Sequence, residues 1–356
     1  MSTMDFFGHQ DRARKITGRL VWLFVAAVVS IVLLIYAAAK VTLVATDTGR
    51  DQMFDWPVLG AVTAVTLAVV GCAMLFKTAQ LRSGGAKVAR LLGGRAVPID
   101  TKDPQERVLR NVVEEMAIAS GVPVPDVFVL DDERAINAFA AGWSPADAAV
   151  AVTRGALERF SRDELQGVIA HEFSHVFHGD MRLNIRLMGT LFGIVCIAVA
   201  GRIVVRSVAY GGGRSNKKGG AGGVIAFGIA LIVIGWLGVL FARLIQAAVS
   251  RQREYLADAS AVQYTRNPQG IGMALAKIAG YDAKLKNPHT EEASHMLFAD
   301  GVSRLAGGAM ATHPPLDQRI ERVLPGFLKN ARGAASAEEA VGRTPPPPEF
   351  AAGAAA

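Results

Sequence analysis

Four long apolar runs, Leu20–Val44, Val58–Phe76, Leu187–Val208 and Val224–Ala242, constrain this chain more than any other feature of its sequence. Crossing a hydrocarbon core of ~30 Å takes about 20 apolar residues in a helix, because no water is present there to satisfy open backbone groups. The composition agrees: 51% of the 356 residues are hydrophobic and 19% are charged, which is apolar for a soluble enzyme. The first run outlasts the roughly 7–15 apolar residues of a signal peptide and reads as a retained transmembrane helix.

Charge then sets the orientation. Arg12, Arg14, Lys15 and Arg19 precede the first run, and Lys77, Arg82, Lys87, Arg90 and Arg95 follow the second. Asp47, Asp51 and Asp55 occupy the loop between them. By the positive-inside rule, residues 20–77 form a hairpin whose two ends, the polar segment 1–19 and everything after residue 77, face the cytoplasm. The second hairpin, 187–249, contains a Gly/Lys linker at 209–223 with Arg214, Lys217 and Lys218. If both of its runs cross, that basic linker lies outside, against the same rule. A hairpin that dips into the membrane is the alternative, and the balance tilts towards a spanning pair. The net charge of +7 does not point to nucleic acid, because no basic helix interleaved with aromatics is present. Cys72 and Cys196 lie inside apolar runs, which argues against a disulfide framework or a cysteine-ligated metal.

Residues 78–186 read as soluble. A linker punctuated by Gly84-Gly85 and Gly93-Gly94 leads to an amphipathic helix over Pro104–Ala119, closed near Gly121. Strands are expected at Val127–Leu130, Asn137–Ala140 and Ala148–Val152, with a turn around Gly142–Asp147 and a helix immediately after. That helix carries His171-Glu172-Phe173-Ser174-His175, with Ser161 and Glu164 as a capping box. Residues four apart on a helix stack, so both imidazoles can address one metal ion, with Glu172 beside them as a base for activated water. A catalytic zinc site takes three protein ligands. A ligand six residues after His175, with glycine halfway, is ruled out because Met181 and His178 stand at those positions. A carboxylate from a later helix remains, and Glu254 is the candidate, since Asp258 one turn on can accept the free N–H of a ligating histidine. Two crossings, or none, between motif and Glu254 keep both on one side. Segment 250–330 reads as helical, broken at Asn267-Pro268 and Asn287-Pro288, and the proline-rich tail 331–356 as disordered.

Asn137–Ala140, Ala149–Thr153, His171–His175, Glu254–Asp258 and Thr312-His313-Pro314-Pro315, in this order between about residues 100 and 325, resemble peptidase family M48. That group of membrane zinc metalloproteases includes HtpX-type quality-control proteases and the CaaX-processing Ste24 enzymes, and the two hairpins are more similar to the HtpX type. The resemblance implies an α+β, mostly helical, integral membrane protein: a gluzincin-like zinc peptidase domain in two parts, 78–186 and 250–330, with two hydrophobic helical hairpins. It implies one Zn²⁺ per chain on His171, His175 and Glu254, with Glu172 as general base. It also implies that Asn137, Ala138, Phe139 and Ala140 form a substrate-binding edge strand, against the alternative of a core strand ending in a buried Phe139. His313 is placed near the oxyanion that develops at the scissile carbonyl, against the alternative of a histidine in a turn before two prolines. Asp180 reads as a structural hydrogen-bonding residue and His178 as exposed. The implied activity is endoproteolysis of protein or peptide substrates, membrane proteins among them, in the bacterial inner membrane with the active site facing the cytoplasm. A membrane-anchored, zinc-holding chaperone or interaction module is the second reading. An intact Glu172 and the lack of an evident fourth ligand argue against it.

Overall fold

The structure is a computed structural model that describes residues 6–45, 54–81, 84–210, 220–280 and 313–330. In chain order the helices are α1 Phe6–Ala45, α2 Trp56–Leu81, α3 Gly85–Leu91, α4 Pro104–Ser120, α5 Arg154–Arg159, α6 Arg162–His178, α7 Asp180–Tyr210, α8 Gly220–Thr265, α9 Pro268–Gly280 and α10 Leu316–Val323. The strands are β1 Arg95–Ala96, β2 Asp126–Leu130, β3 Ala138–Ala141 and β4 Ala149–Thr153. The fold is α+β and mostly helical.

Within α1, α2, α7 and α8, the stretches Trp22–Ala45, Trp56–Ala79, Asp180–Tyr210 and Ala221–Thr265 are long and apolar enough to cross a bilayer. They pack into one bundle around Ile31, Ile35, Val70, Ile194, Ile197, Leu231 and Ile234. Outward-facing Trp22, Leu33, Val65, Leu75, Ile203 and Trp236 stay exposed, as lipid-facing side chains do. No glycine or proline pair breaks α8 where the apolar run meets the polar segment. Its 46 residues, at 1.5 Å each, extend about 69 Å, more than twice a hydrocarbon core of ~30 Å. The excess carries Glu254 and Asp258 into the peptidase half.

That half is built on a sheet of order β1-β2-β4-β3, with β2 parallel to β4 and the other pairs antiparallel. Strand periodicity sorts its side chains to two faces. Val127, Val129, Ala138, Ala140, Val150 and Val152 join Val112, Val168, Phe173 and Ile271 in the main core under α4, α6 and α9. Phe128, Leu130, Phe139, Ala149 and Ala151 face Ala89 and Leu92 at α3. Two short elements appear where a linker was expected. Glycine reads as a breaker, but Gly85 lets α3 lie flat on the sheet: a Cβ there would fall 2.2 Å from Ala141 O. Arg95 and Ala96 then pair with Val129 and Phe128. Helix α5 also intervenes before the motif helix, capped by Thr153, whose Oγ1 accepts from Ala156 N. The polar segment 1–19 does not stand apart from the first span, since α1 already begins at Phe6. Helix α4 ends as expected, with Gly121 at φ 71°. The acidic residues Asp47 and Asp51, most of the Gly/Lys linker, Asn287-Pro288 and the tail 331–356 lie outside the described residues.

An ion cluster ties β2, α4 and α5 together. The Arg154 guanidinium donates to Asp131 at 2.5 Å and to Asp103 at 3.1 Å, and lies 3.4 Å from Glu106. Hydrogen bonds from Arg95 and Arg154 hold the Asp131 carboxyl below the usual range. Glu106 is also lowered, its bonds to Thr101 and Arg95 outweighing burial, which acts the other way. Carboxyls with depressed folded-state pKa values stabilise the fold above their unfolded values near 4 and lose that contribution as acid protonates them. Arg154→Met should therefore lower stability by about 1 kcal/mol at neutral pH. The gap from wild type should close as pH falls below about 4, followed by thermal unfolding in detergent.

Candidate metal centre

The motif helix is fixed at both ends by local chemistry. Ser161 Oγ accepts from Glu164 N at 3.3 Å, and Glu164 Oε2 accepts from Ser161 N at 2.7 Å, completing the capping box. Lys277 of α9 adds a 2.6 Å ion pair to Glu164. A Cβ on Gly167 would fall 2.5 Å from Ile271 N, so this glycine lets α6 and α9 touch. At the far end Gly179, at φ 70°, turns the chain directly into α7. Ile169, Phe173 and Val176 are fully buried and fix the helix's rotation.

With that rotation, His171 and His175 bring their Nε2 atoms within 3.1 Å of each other. Glu254 reaches them from α8, with Oε2 3.5 Å from His171 Nε2 and Oε1 3.6 Å from His175 Nε2. One ligand atom from each of the three lies within 4.8 Å of the others. The other ring nitrogens are held by carboxylates. His171 Nδ1 is 3.0 Å from Asp258 Oδ1, and His175 Nδ1 is 2.8 Å from Asp180 Oδ2. Each carboxylate is in turn gripped by an arginine. Arg319 of α10 forks onto Asp258 at 2.7 and 2.9 Å, and Arg253 of α8 pairs with Asp180 while donating to His178 O at 3.1 Å. His313 Nδ1 stands 3.3 Å from Glu254 Oε1.

Burial disfavours charge on His171, but its bonds to Asp258 and Glu254 prevail and raise it to about 9. Burial and the neighbouring His171 hold His175 down to about 4. Burial pushes the Glu172 carboxyl up, while both histidines pull it down. Helix α6 packs against β3, and the Ala140 backbone is near enough to pull this carboxyl down slightly.

The donor set fits a divalent cation. Two imidazoles and a carboxylate converge, and Glu172 Oε1 is buried with no hydrogen-bond partner among the described residues. Four carboxylates, Glu172, Asp180, Glu254 and Asp258, are buried here with the guanidinium groups of Arg253 and Arg319, an acid-rich setting that suits a cation.

The structure brings His171, Glu172, His175, Glu254, Asp258 and His313 into one largely buried cluster. Asp180 Oδ2 lies 2.8 Å from His175 Nδ1 and outside the group formed by His171, His175 and Glu254. His178 departs from expectation: it is half-buried, its Nδ1 bonded to Ser174 O at 2.9 Å and its carbonyl accepting from Arg253 of α8. Ala138, Phe139 and Ala140 are 1%, 2% and 4% exposed, so their side chains are core and only the backbone edge of β3 is open to a binding role. Asn137 precedes the strand, its N–H donating to Thr153 Oγ1 at 3.0 Å. Sequence reasoning missed Arg319 and Arg253. The one signal for Arg319 was its place six residues after His313; an arginine on a short amphipathic helix otherwise reads as solvent-facing.

The family model for peptidase family M48 matches residues 103–325, more than half of the chain. The chain belongs to peptidase family M48. It is 41% identical over 233 residues to a protease HtpX homologue from Listeria monocytogenes, covering 63% of this chain and 75% of that one. It is 36% identical over 275 residues to one from Thermoanaerobacter pseudethanolicus, covering 76% of this chain and 86% of the relative. The crystal structure of S. mikatae Ste24p aligns with a TM-score of 0.45 and 18% identity, over 74% of this chain and 62% of that one. Family membership makes this a multi-pass membrane metalloprotease, and zinc is the metal the family implies. It does not favour the zinc-holding chaperone.

Holding a ligating histidine by its second nitrogen typically matters about 10–100-fold in metal affinity. Asp180→Ala removes the acceptor of His175 and the partner of Arg253, and should weaken zinc binding by about that factor in a competition titration with a chromophoric chelator.

Proposed function

We propose that the chain is a zinc endopeptidase working on the cytoplasmic side of a bacterial inner membrane, with His171, His175 and Glu254 as its metal ligands. The observation that carries this reading is the convergence of those three residues beside a buried, part-satisfied Glu172. A zinc ion there supplies a Lewis acid, which lowers the pKa of water from 15.7 towards ~7 and polarises a carbonyl.

The chain's own residues do the rest. Glu172 takes a proton from the attacking water on its open oxygen and delivers it to the departing amine. His171 and His175 are kept in their ligating orientation by Asp258 and Asp180. The outer edge of β3 pairs with no described strand and lies beside Glu172, so an extended peptide added there as a further strand would pass its backbone along the base. With side chains of β3 buried, this binding is mainly to backbone, which suits an enzyme that reads exposed, unfolded segments. His313, buried next to Glu254, would donate to charge developing on the carbonyl oxygen. Damaged membrane proteins are the proposed substrates, because the ligand-bearing helix α8 continues directly into the bilayer-spanning bundle.

Purified, zinc-loaded wild type should cleave an unfolded model protein such as casein. Glu172→Gln should retain zinc and lose at least about a hundredfold in rate, while Glu254→Ala should lose zinc itself. Equal cleavage by wild type and Glu172→Gln would overturn the mechanism. For the orientation, Lys218→Cys in a background free of Cys72 and Cys196 should react with an impermeant maleimide outside intact cells. Asp132→Cys should react only after lysis, and outside labelling of position 132 would refute the cytoplasmic site.

A further inference from the structure

We propose that Arg319 is a positioning residue of the metal centre: from inside the pocket it fixes the carboxylates of Glu254 and Asp258 and, through Asp258, the orientation of His171. This rests on the metal-site reading above and assigns a role to a residue that no motif marks.

Arg319 is the largest fully buried side chain among the described residues, at 0% exposure. A guanidinium without water is tolerated only where its donors are met by carboxylates at good geometry. Here Asp258 and Glu254 meet donors on all three guanidinium nitrogens. Nε and Nη2 fork onto the two oxygens of Asp258 at 2.9 and 2.7 Å. Nη1 lies 3.1 Å from Glu254 Oε2, and Nη2 is 3.5 Å from His171 Nδ1. Asp258 Oδ1 thus serves both Arg319 and His171, and Arg319 ties one ligand's own oxygen to the acceptor that orients another ligand.

Two consequences follow from the chemistry of the fork. Arg319 Nη1 faces Oε2 of Glu254 at 3.1 Å, while Oε1 faces His175 Nε2 at 3.6 Å and His313 Nδ1 at 3.3 Å, so the guanidinium fixes which way the carboxylate is turned. A lysine would supply the charge but not three planar donors in fixed directions, so it can meet Asp258 or Glu254 but not both at these angles. The residue arrives by tertiary docking. Ile320 and Val323 bury the adjacent face of α10 in the main core beside α9, and this seats Arg319 between α8 and α6.

The test compares wild type, Arg319→Lys and the charge-balanced double variant Asp258→Asn/Arg319→Gln, each as the full chain in detergent. The double variant guards against a chain that fails to fold because a buried charge has lost its partner. Zinc affinity is read by chelator competition, ligand geometry by the visible absorption of the cobalt-substituted protein, and folding by circular dichroism. The expected result is a folded chain in which zinc binds about 10–100-fold more weakly in both variants, with cobalt bands shifted in position and intensity. A role in packing alone would lower thermal stability and leave the cobalt bands in place. Wild-type zinc affinity and wild-type cobalt bands in a folded variant would overturn the inference while leaving the metal site intact. Failure of wild type itself to bind zinc, or unchanged binding in His171→Ala, would instead overturn the metal-site reading.

Discussion

The centre of this molecule depends on keeping a group of buried charges in balance without water. Glu172, Asp180, Glu254 and Asp258 are all less than a tenth exposed, and each lies within reach of an imidazole or a guanidinium. Leaving one buried ion uncompensated costs several kcal/mol, a large part of the ~5–15 kcal/mol by which a folded domain exceeds its unfolded chain. The arrangement therefore has to be complete or it is costly. Four helices contribute to it: α6 brings the histidines and Glu172, α7 brings Asp180, α8 brings Arg253, Glu254 and Asp258, and α10 brings Arg319. The same acid-rich setting suits a cation.

Two of those helices are also membrane helices. Asp180 is the first residue of α7, and Glu254 and Asp258 lie in the last part of α8. The Asp180–Arg253 pair joins these helices at the level of the metal centre, below the apolar bundle where Ile194 and Ile197 of α7 meet Leu231 and Ile234 of α8. The peptidase half is therefore not a separate body hung from an anchor. Glu254, Asp258, Arg253 and Asp180 sit on extensions of the apolar helices α7 and α8, and α6 brings His171 and His175 to them.

Much of this was legible in the chain because the relevant signals are local. Apolar length marks a span, a capping box marks the start of α6, and the four-residue spacing of His171 and His175 puts both on one face. Glu254 was legible only with chemistry added, since an acidic residue among arginines looks solvent-exposed until a metal site needs a third ligand. The short elements were not legible. Gly85 reads as a breaker in a linker, yet it is the residue that lets α3 approach the sheet, and β1 has too few residues to show any period. Phe139 looked equally suited to binding or to the core. Its burial against Ala89 and Leu92 settles the side chain as core.

The sequence by itself determined the membrane helices, the motif helix and the identity of the residues able to hold a metal. Each of these follows from interactions within a few turns of helix or from the thickness of the bilayer. Tertiary structure alone decided how those residues are held. Asp180 and Asp258 were candidates as acceptors, but the arginines that grip them come from α8 and α10, and Arg319 reaches Asp258 across 61 positions of chain. No spacing rule encodes that pairing. It exists because closing α10 onto α9 buries Ile320 and Val323, and the burial brings the adjacent guanidinium against the carboxylates of Glu254 and Asp258.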